Sequence, residues 1–130
     1  MEVQQQFSRT ASAVSASRAL IEPFRDAVDR RTFHDLCLLV SELTANCIQQ
    51  GGDGPVTIAA QLTNGRVHVE VDCPTRQAGV QGHPQLGARV LGLRVINQLA
   101  SAWGVDNHEQ HSVVWADLTA ARSKPQAPAN

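Results

Sequence analysis

Leu36-Cys37-Leu38-Leu39-Val40-Ser41-Glu42-Leu43-Thr44-Ala45-Asn46-Cys47-Ile48 is an apolar run broken by a carboxylate and an amide four residues apart. Phe33, Leu36, Cys37, Val40, Leu43 and Cys47 recur at i, i+3, i+4 spacing, which predicts a helix with one buried stripe. At about 100° per residue, Glu42 and Asn46 stand about 40° apart on the edge of that stripe and face the same way. A carboxylate that can take a proton, beside an amide oxygen that can face a hard cation, suits Mg-assisted phosphate chemistry. Polar i, i+4 pairs are also common on ordinary solvated helix faces, so the pair needs support from the rest of the chain.

Working upstream, Val3 to Phe7 has weak strand character, and Ser8 to Ser15 offers several N-caps for a helix running to about Val28. Pro23 inside that helix should kink it or mark its real start. Asp29-Arg30-Arg31-Thr32 reads as a connection, with Thr32 as cap of the second helix, and Gly51-Gly52-Asp53-Gly54-Pro55 ends that helix.

Downstream, Val56 to Leu62 and Arg66 to Asp72 read as strands joined by the hairpin signal Thr63-Asn64-Gly65, with Val67, Val69 and Val71 as a period-two face. Pro74 to about Leu86 lacks apolar periodicity and holds Gly79, Gly82 and Pro84, so a long mobile loop is expected. A helix from about Leu86 to Ala100 and two short strands, Ala102 to Asp106 and Ser112 to Leu118, complete the pattern. The fold class that follows is α+β: a two-layer sandwich of a mostly antiparallel sheet covered by about three helices on one face. One domain is expected over residues 1–120, with a disordered tail over 121–130.

Eleven basic against twelve acidic side chains, with no long run of either sign, give no electrostatic footprint for nucleic acid or an anionic membrane. No apolar stretch approaches the roughly 20 residues that span a bilayer, and Met1-Glu2-Val3-Gln4-Gln5-Gln6 lacks the features of a signal peptide, so a cytoplasmic location is expected. Cys37, Cys47 and Cys73 have no CxxC spacing and are an odd number; buried reduced thiols are expected, not a disulfide or a zinc site.

With these elements in order, the chain resembles the anti-sigma-factor serine/threonine kinases of the GHKL superfamily, which have the Bergerat ATP-binding fold. Leu38 to Cys47 looks like that family's N-box, Gly92-Leu93-Arg94-Val95-Ile96-Asn97-Gln98-Leu99-Ala100 like the helix after its second glycine box, and Trp103-Gly104-Val105 with Val113-Val114-Trp115 like its closing strands. The resemblance implies ATP and Mg as cofactors. It places Glu42 as the base that activates a substrate serine or threonine hydroxyl and Asn46 as the Mg ligand, and it assigns nucleotide contacts to Gln50, to Asp72 or Cys73, and to Gly92 and Leu93. Phosphoryl transfer needs little more than positioning and charge neutralisation, and the loop before Leu86 would be its lid. The implied partners are a sigma factor and an anti-anti-sigma protein of the STAS type, in a partner-switching system that regulates transcription. A homodimer is implied too. Exposed Arg18, Arg25 and Arg89 are candidates to steer docking.

The chain departs from the pattern in three places. Gln50 precedes Gly51 where the family often has His-Gly, and Val71-Asp72-Cys73-Pro74 lacks the glycine that usually follows the adenine-contacting aspartate. The register leaves Asp72 and Cys73 both open for that position, and a cysteine cannot replace a carboxylate as acceptor. Gly-x-Gly-Leu of the second glycine box reads Val90-Leu91-Gly92-Leu93, which screens one backbone N–H with a branched side chain. Two functions follow: a regulatory kinase, or a non-catalytic interaction module on the same fold with weak or no ATP binding. His108 and His111 lie in an expected turn without further metal ligands, and His34, Asp35 and Ser41 lack the strand-turn-helix context of a hydrolase triad.

Overall fold

A computed structural model describes residues 1–50, 53–74 and 90–120, with backbone alone over 90–93. The elements are β1 Glu2–Phe7, α1 Ser12–Leu20, a 3-10 turn Glu22–Phe24, α2 Arg30–Gln49, β2 Val56–Thr63, β3 Arg66–Pro74, α3 Val90–Leu99, β4 Ala102–Asn107 and β5 His111–Thr119. The strands form one antiparallel sheet in the order β1-β2-β3-β5-β4. α2 packs on β2, β3 and β5 and is flanked by α1 and α3, so the expected α+β sandwich with helices on one face is what the chain forms.

The β2–β3 hairpin sets the register of the central strands. Thr63 pairs with Arg66 across Asn64 and Gly65, whose φ values of 50° and 75° lie in the left-handed region. Asn-Gly is the pair that tolerates two such residues, and the resulting twist matches that of the strands it joins. From there β3 alternates strictly: Val67, Val69, Val71 and Cys73 are buried under the helices, while Arg66 and Glu70 are exposed and His68 and Asp72 half-buried on the other face. The core is completed by Leu36, Leu39, Val40 and Leu43 from α2, Ile58 and Ala60 from β2, Ile96 from α3, and Val114, Ala116 and Leu118 from β5.

β3 runs two residues past the expected Asp72, to Pro74, and two helix boundaries differ from the sequence reading. The first helix stops at Leu20 and does not run to Val28, because Pro23 has no N–H to continue the ladder. The chain tightens instead into i+3 bonds, Phe24 N–H to Ile21 O and Arg25 N–H to Glu22 O, and Ile21 and Phe24 are driven fully into the core. α2 begins at Arg30, with extended Asp29 as its N-cap in place of Thr32. Thr32 lies inside the first turn, where its hydroxyl donates to the Asp29 carboxylate and, as the main cause, holds that carboxyl below its usual range. The expected loop beyond Pro74, residues 86–89 of the expected third helix and the tail from Ala121 lie outside the described residues.

Candidate functional site

α2 is amphipathic along most of its length, but its last two turns bury polar groups. Thr44 is fully buried and Asn46 is 5% exposed, and neither Thr44 Oγ1 nor Asn46 Nδ2 has a hydrogen-bond partner among the described residues. A buried donor left unpaired costs about 1–3 kcal/mol, so Asn46 holds hydrogen-bonding capacity that the described protein groups do not use. Glu42, one turn earlier, is half-buried. Glu42 thus lies at the edge of the buried stripe, as the helical spacing expects, whereas Asn46 lies within it.

At the end of α2, one residue past Asn46, the structure corrects the expectation of three reduced thiols. Cys47 and Cys73 are joined by a disulfide with their Cα atoms 5.7 Å apart, and Cys37 alone is a free thiol. The bond links the end of α2 to the end of β3. Twenty-six residues separate the two cysteines in sequence, and only the packing of helix on strand brings them within the distance a disulfide needs. Burial pushes the Cys37 thiol up, with Glu22 adding to the effect and Arg25 and Arg18 opposing it.

Arg9 joins this junction, a residue the sequence reading passed over. From the connection between β1 and α1, its Nη1 donates to Pro74 O at 2.6 Å and its Nη2 to Cys47 O at 2.8 Å and to Cys73 Sγ at 3.1 Å. One guanidinium thus ties three chain segments together and satisfies a carbonyl in the last turn of α2. Burial lowers its pKa and the charge of Asp53 opposes that shift. A faint signal was present: Arg9 is the one charged residue in the Ser/Thr-rich stretch from Ser8 to Ser15.

At the end of β3, Cys73 and Asp72 take opposite faces of the sheet. Cys73 follows Val67, Val69 and Val71 onto the helix-covered face, and Gln50 Oε1 lies 4.0 Å from its sulfur. Asp72 points to the opposite face, where His111 Nδ1 is 2.8 Å from its Oδ1. Asn46, Gln50 and Cys73 are therefore gathered at one end of the helix–sheet layer, and Asp72 is not among them. Gly92 and Leu93 lie in the first turns of α3, which packs against α2; their side-chain surroundings are outside the described residues.

The uncovered face carries a different constellation. Arg66, His68, Glu70, Asp106, Trp115 and Asp117 line an open groove of 720 Å³. His68 Nδ1 lies 2.6 Å from Asp117 Oδ1 and its Nε2 2.9 Å from Glu70 Oε2, while its ring stacks on Trp115 with centroids 5.9 Å apart. Burial lowers the His68 pKa, but the two carboxylates outweigh it together and the net shift is upward. No group of three or more His, Cys, Asp or Glu side chains suited to a metal occurs among the described residues.

The signals set aside in the sequence are also placed. The His108 and His111 rings stack 4.5 Å apart at the β4–β5 turn. Ser41 donates to Cys37 O and accepts from Arg18, which uses its hydroxyl in a structural role and does not pair it with His34. Arg25 pairs with Glu22 and lies over the Phe33 ring, 4.5 Å from its centroid. Arg89 falls outside the described residues. No described helix is long and apolar enough to cross a membrane.

No family model and no curated protein matches this sequence. Among solved structures, the Acinetobacter baumannii histidine kinase AdeS is similar, with a TM-score of 0.50 at 14% identity, covering 89% of this chain and 66% of that one. This chain thus spans about two thirds of that chain's length. At such identity the likeness speaks for architecture alone: this chain shares a fold with that histidine kinase structure, here an antiparallel sheet covered by helices on one face.

Proposed function

We propose that this domain is an anti-sigma-type regulator that binds ATP with Mg and phosphorylates an anti-anti-sigma partner of the STAS type on serine or threonine. The observation that carries the reading is Asn46: an amide held in the buried end of α2 whose Nδ2 has no partner among the described residues, one turn from the half-buried carboxylate of Glu42. The residues fit the cofactor at that point, since Asn46 offers an unspent donor and an amide oxygen of the kind Mg accepts. They fit less well at the adenine end. Glu42 is the residue placed to take the proton of an incoming hydroxyl, and Asn46 to hold the phosphate end of the nucleotide in register with it. Bound Mg-ATP would supply the transferable phosphoryl group and the charge neutralisation that such transfer needs.

A second reading is favoured by a specific observation: of the two positions the resemblance offers for the adenine contact, Cys73 is tied up in a disulfide and Asp72 pairs with His111 on the uncovered face. On that reading the domain sequesters a sigma factor or a STAS protein without turnover, alone or as a homodimer, with exposed Arg18 and Arg25 steering association.

Calorimetric titration with ATP and Mg, paired with phosphate transfer to an added STAS protein, separates the two. The kinase reading expects weak saturable binding, with a Kd above roughly 100 μM. It also expects that Glu42→Ala lowers transfer by about 10²-fold with binding intact, while Asn46→Ala loses Mg-dependent binding as well. A flat isotherm at millimolar ATP together with no transfer overturns it and leaves the interaction module.

A further inference from the structure

The junction of Arg9, Cys47 and Cys73 has chemistry of its own, independent of nucleotide. We propose that Cys47 and Cys73 are a thiol–disulfide exchange site that takes a dithiol reductant, with Arg9 as the residue that positions and tunes it.

Three observations support this. First, the guanidinium of Arg9 is 3.1 Å from Cys73 Sγ, and a cation beside a sulfur stabilises the thiolate, hence the reduced form of the pair. Second, Cys73 Sγ lies 3.5 Å from Cys47 O and 4.0 Å from Gln50 Oε1, acceptors open to the protonated thiol, while Arg9 faces the same sulfur as a thiolate, so either protonation state of reduced Cys73 has a partner. The reduced pair therefore finds its hydrogen-bond partners already in place. Third, although both sulfurs are buried, the bond joins the ends of two elements: the last turn of α2, beside Asn46, and the last residues of β3. Its state fixes or frees the end of α2 while the β2–β3 hairpin stays held by its own ladder.

The exchange balances as follows. A thiolate of the reductant attacks Cys47 Sγ, and the Cys47–Cys73 bond breaks with its electron pair leaving on Cys73 Sγ, the sulfur next to Arg9 and so the better leaving group. The reductant's second thiol then attacks the mixed disulfide and releases Cys47. Two electrons and two protons pass from the dithiol to the cysteine pair, and the reductant ends as its own disulfide. With Cys47 at 3% and Cys73 at 1% exposure, the attack waits on a local opening of this corner, so the site is judged at equilibrium and not by its rate.

The test equilibrates the full chain in oxidised and reduced dithiothreitol and glutathione mixtures of set potential, followed by acid quench, alkylation and intact-mass counting of thiols. Cys37 supplies one constant thiol as an internal standard. The expected result is a single two-thiol transition between roughly −180 and −320 mV, the interval spanned by cellular glutathione poise and protein dithiols. A bond still intact beyond that interval would mark a structural disulfide, and a pair still reduced at its oxidising end would mark no bond; either overturns the proposal. Arg9→Gln is expected to make the bond about tenfold harder to reduce, a shift of about 30 mV. An unmoved midpoint removes Arg9 from the site. Hydrogen exchange then reads the consequence: reduction is expected to speed exchange about fivefold or more over residues 44–50 and to leave residues 58–70 unchanged. A uniform rise over both segments would show a global staple and overturn the local role.

Discussion

The two faces of β3 are built from neighbouring residues of one strand and obey opposite rules. Val67, Val69 and Val71 meet Leu118, Ala116 and Val114 of β5 beneath α2, in a layer where every side chain is almost entirely buried. Their immediate neighbours His68 and Glu70 lie opposite Asp117 and Trp115, in a groove open to solvent. On the covered face a polar atom without a partner is expensive, so Asn46 and the Cys47–Cys73–Arg9 junction at its end stand out as chemistry. On the bare face charges are cheap, and the carboxylate–imidazole–carboxylate row of Glu70, His68 and Asp117 is mainly a surface stabilising device, with one contact along β3 and one across to β5. Polar clusters thus carry functional weight in proportion to what their burial costs.

The contrast can be broken most directly by exchanging the rules. Val69→Asp places a carboxylate among Ile58, Ala60 and Ala116 neighbours with no cation opposite, and it is expected to cost about 4 kcal/mol or more, whereas Glu70→Ala one residue later should stay within about 0.5 kcal/mol. Urea denaturation of both variants checks this, and comparable losses would refute the division of the strand into two regimes. Leu43→Ala, which hollows the covered layer under α2, is expected to cost about 3 kcal/mol by the same measurement.

A third experiment asks whether the bare face has any packing of its own. A Cβ at Gly104 would meet the Trp115 ring at 2.9 Å, because the indole lies flat over the strand opposite. Gly104→Val is expected to displace that ring and cost about 2 kcal/mol, with a red-shifted, more quenchable Trp emission. No loss would show the indole to be merely draped on the sheet.

The smallest expected effect sharpens the electrostatic side. The folded-state pKa of His68 is raised, so its contribution is fully present below the unfolded value of about 6.5 and is lost as pH rises through the folded value. The side chain is 36% exposed, and screening keeps the contribution below about 1 kcal/mol. The difference in unfolding free energy between the wild type and His68→Gln should therefore shrink between pH 6 and 8. A difference that grows with pH would contradict the sign.

Much of the fold was legible because it rests on local rules. Asn64-Gly65 demanded a two-residue hairpin, the valines of β3 declared a buried face, and the stripe from Phe33 to Cys47 declared a long amphipathic helix. Where local rules competed, boundaries slipped. Pro23 broke the first helix early, and Asp29 took the cap that Thr32 could also have supplied. The candidate site was half legible. Glu42 and Asn46 share one helix, so spacing alone put them one turn apart.

The amino-acid order by itself thus determined the elements, the hairpin register, the choice of a helix-covered antiparallel sheet and the placement of Glu42 and Asn46 one turn apart on α2, since each depends on residues within a turn or a strand of one another. Tertiary structure alone decided that Asp72 meets His111, that Cys47 and Cys73 bond, and that Arg9 reaches across from the first connection to hold both. Those contacts join residues 26 to 65 positions apart, and no periodicity reports a distance that exists only after helix and sheet have docked.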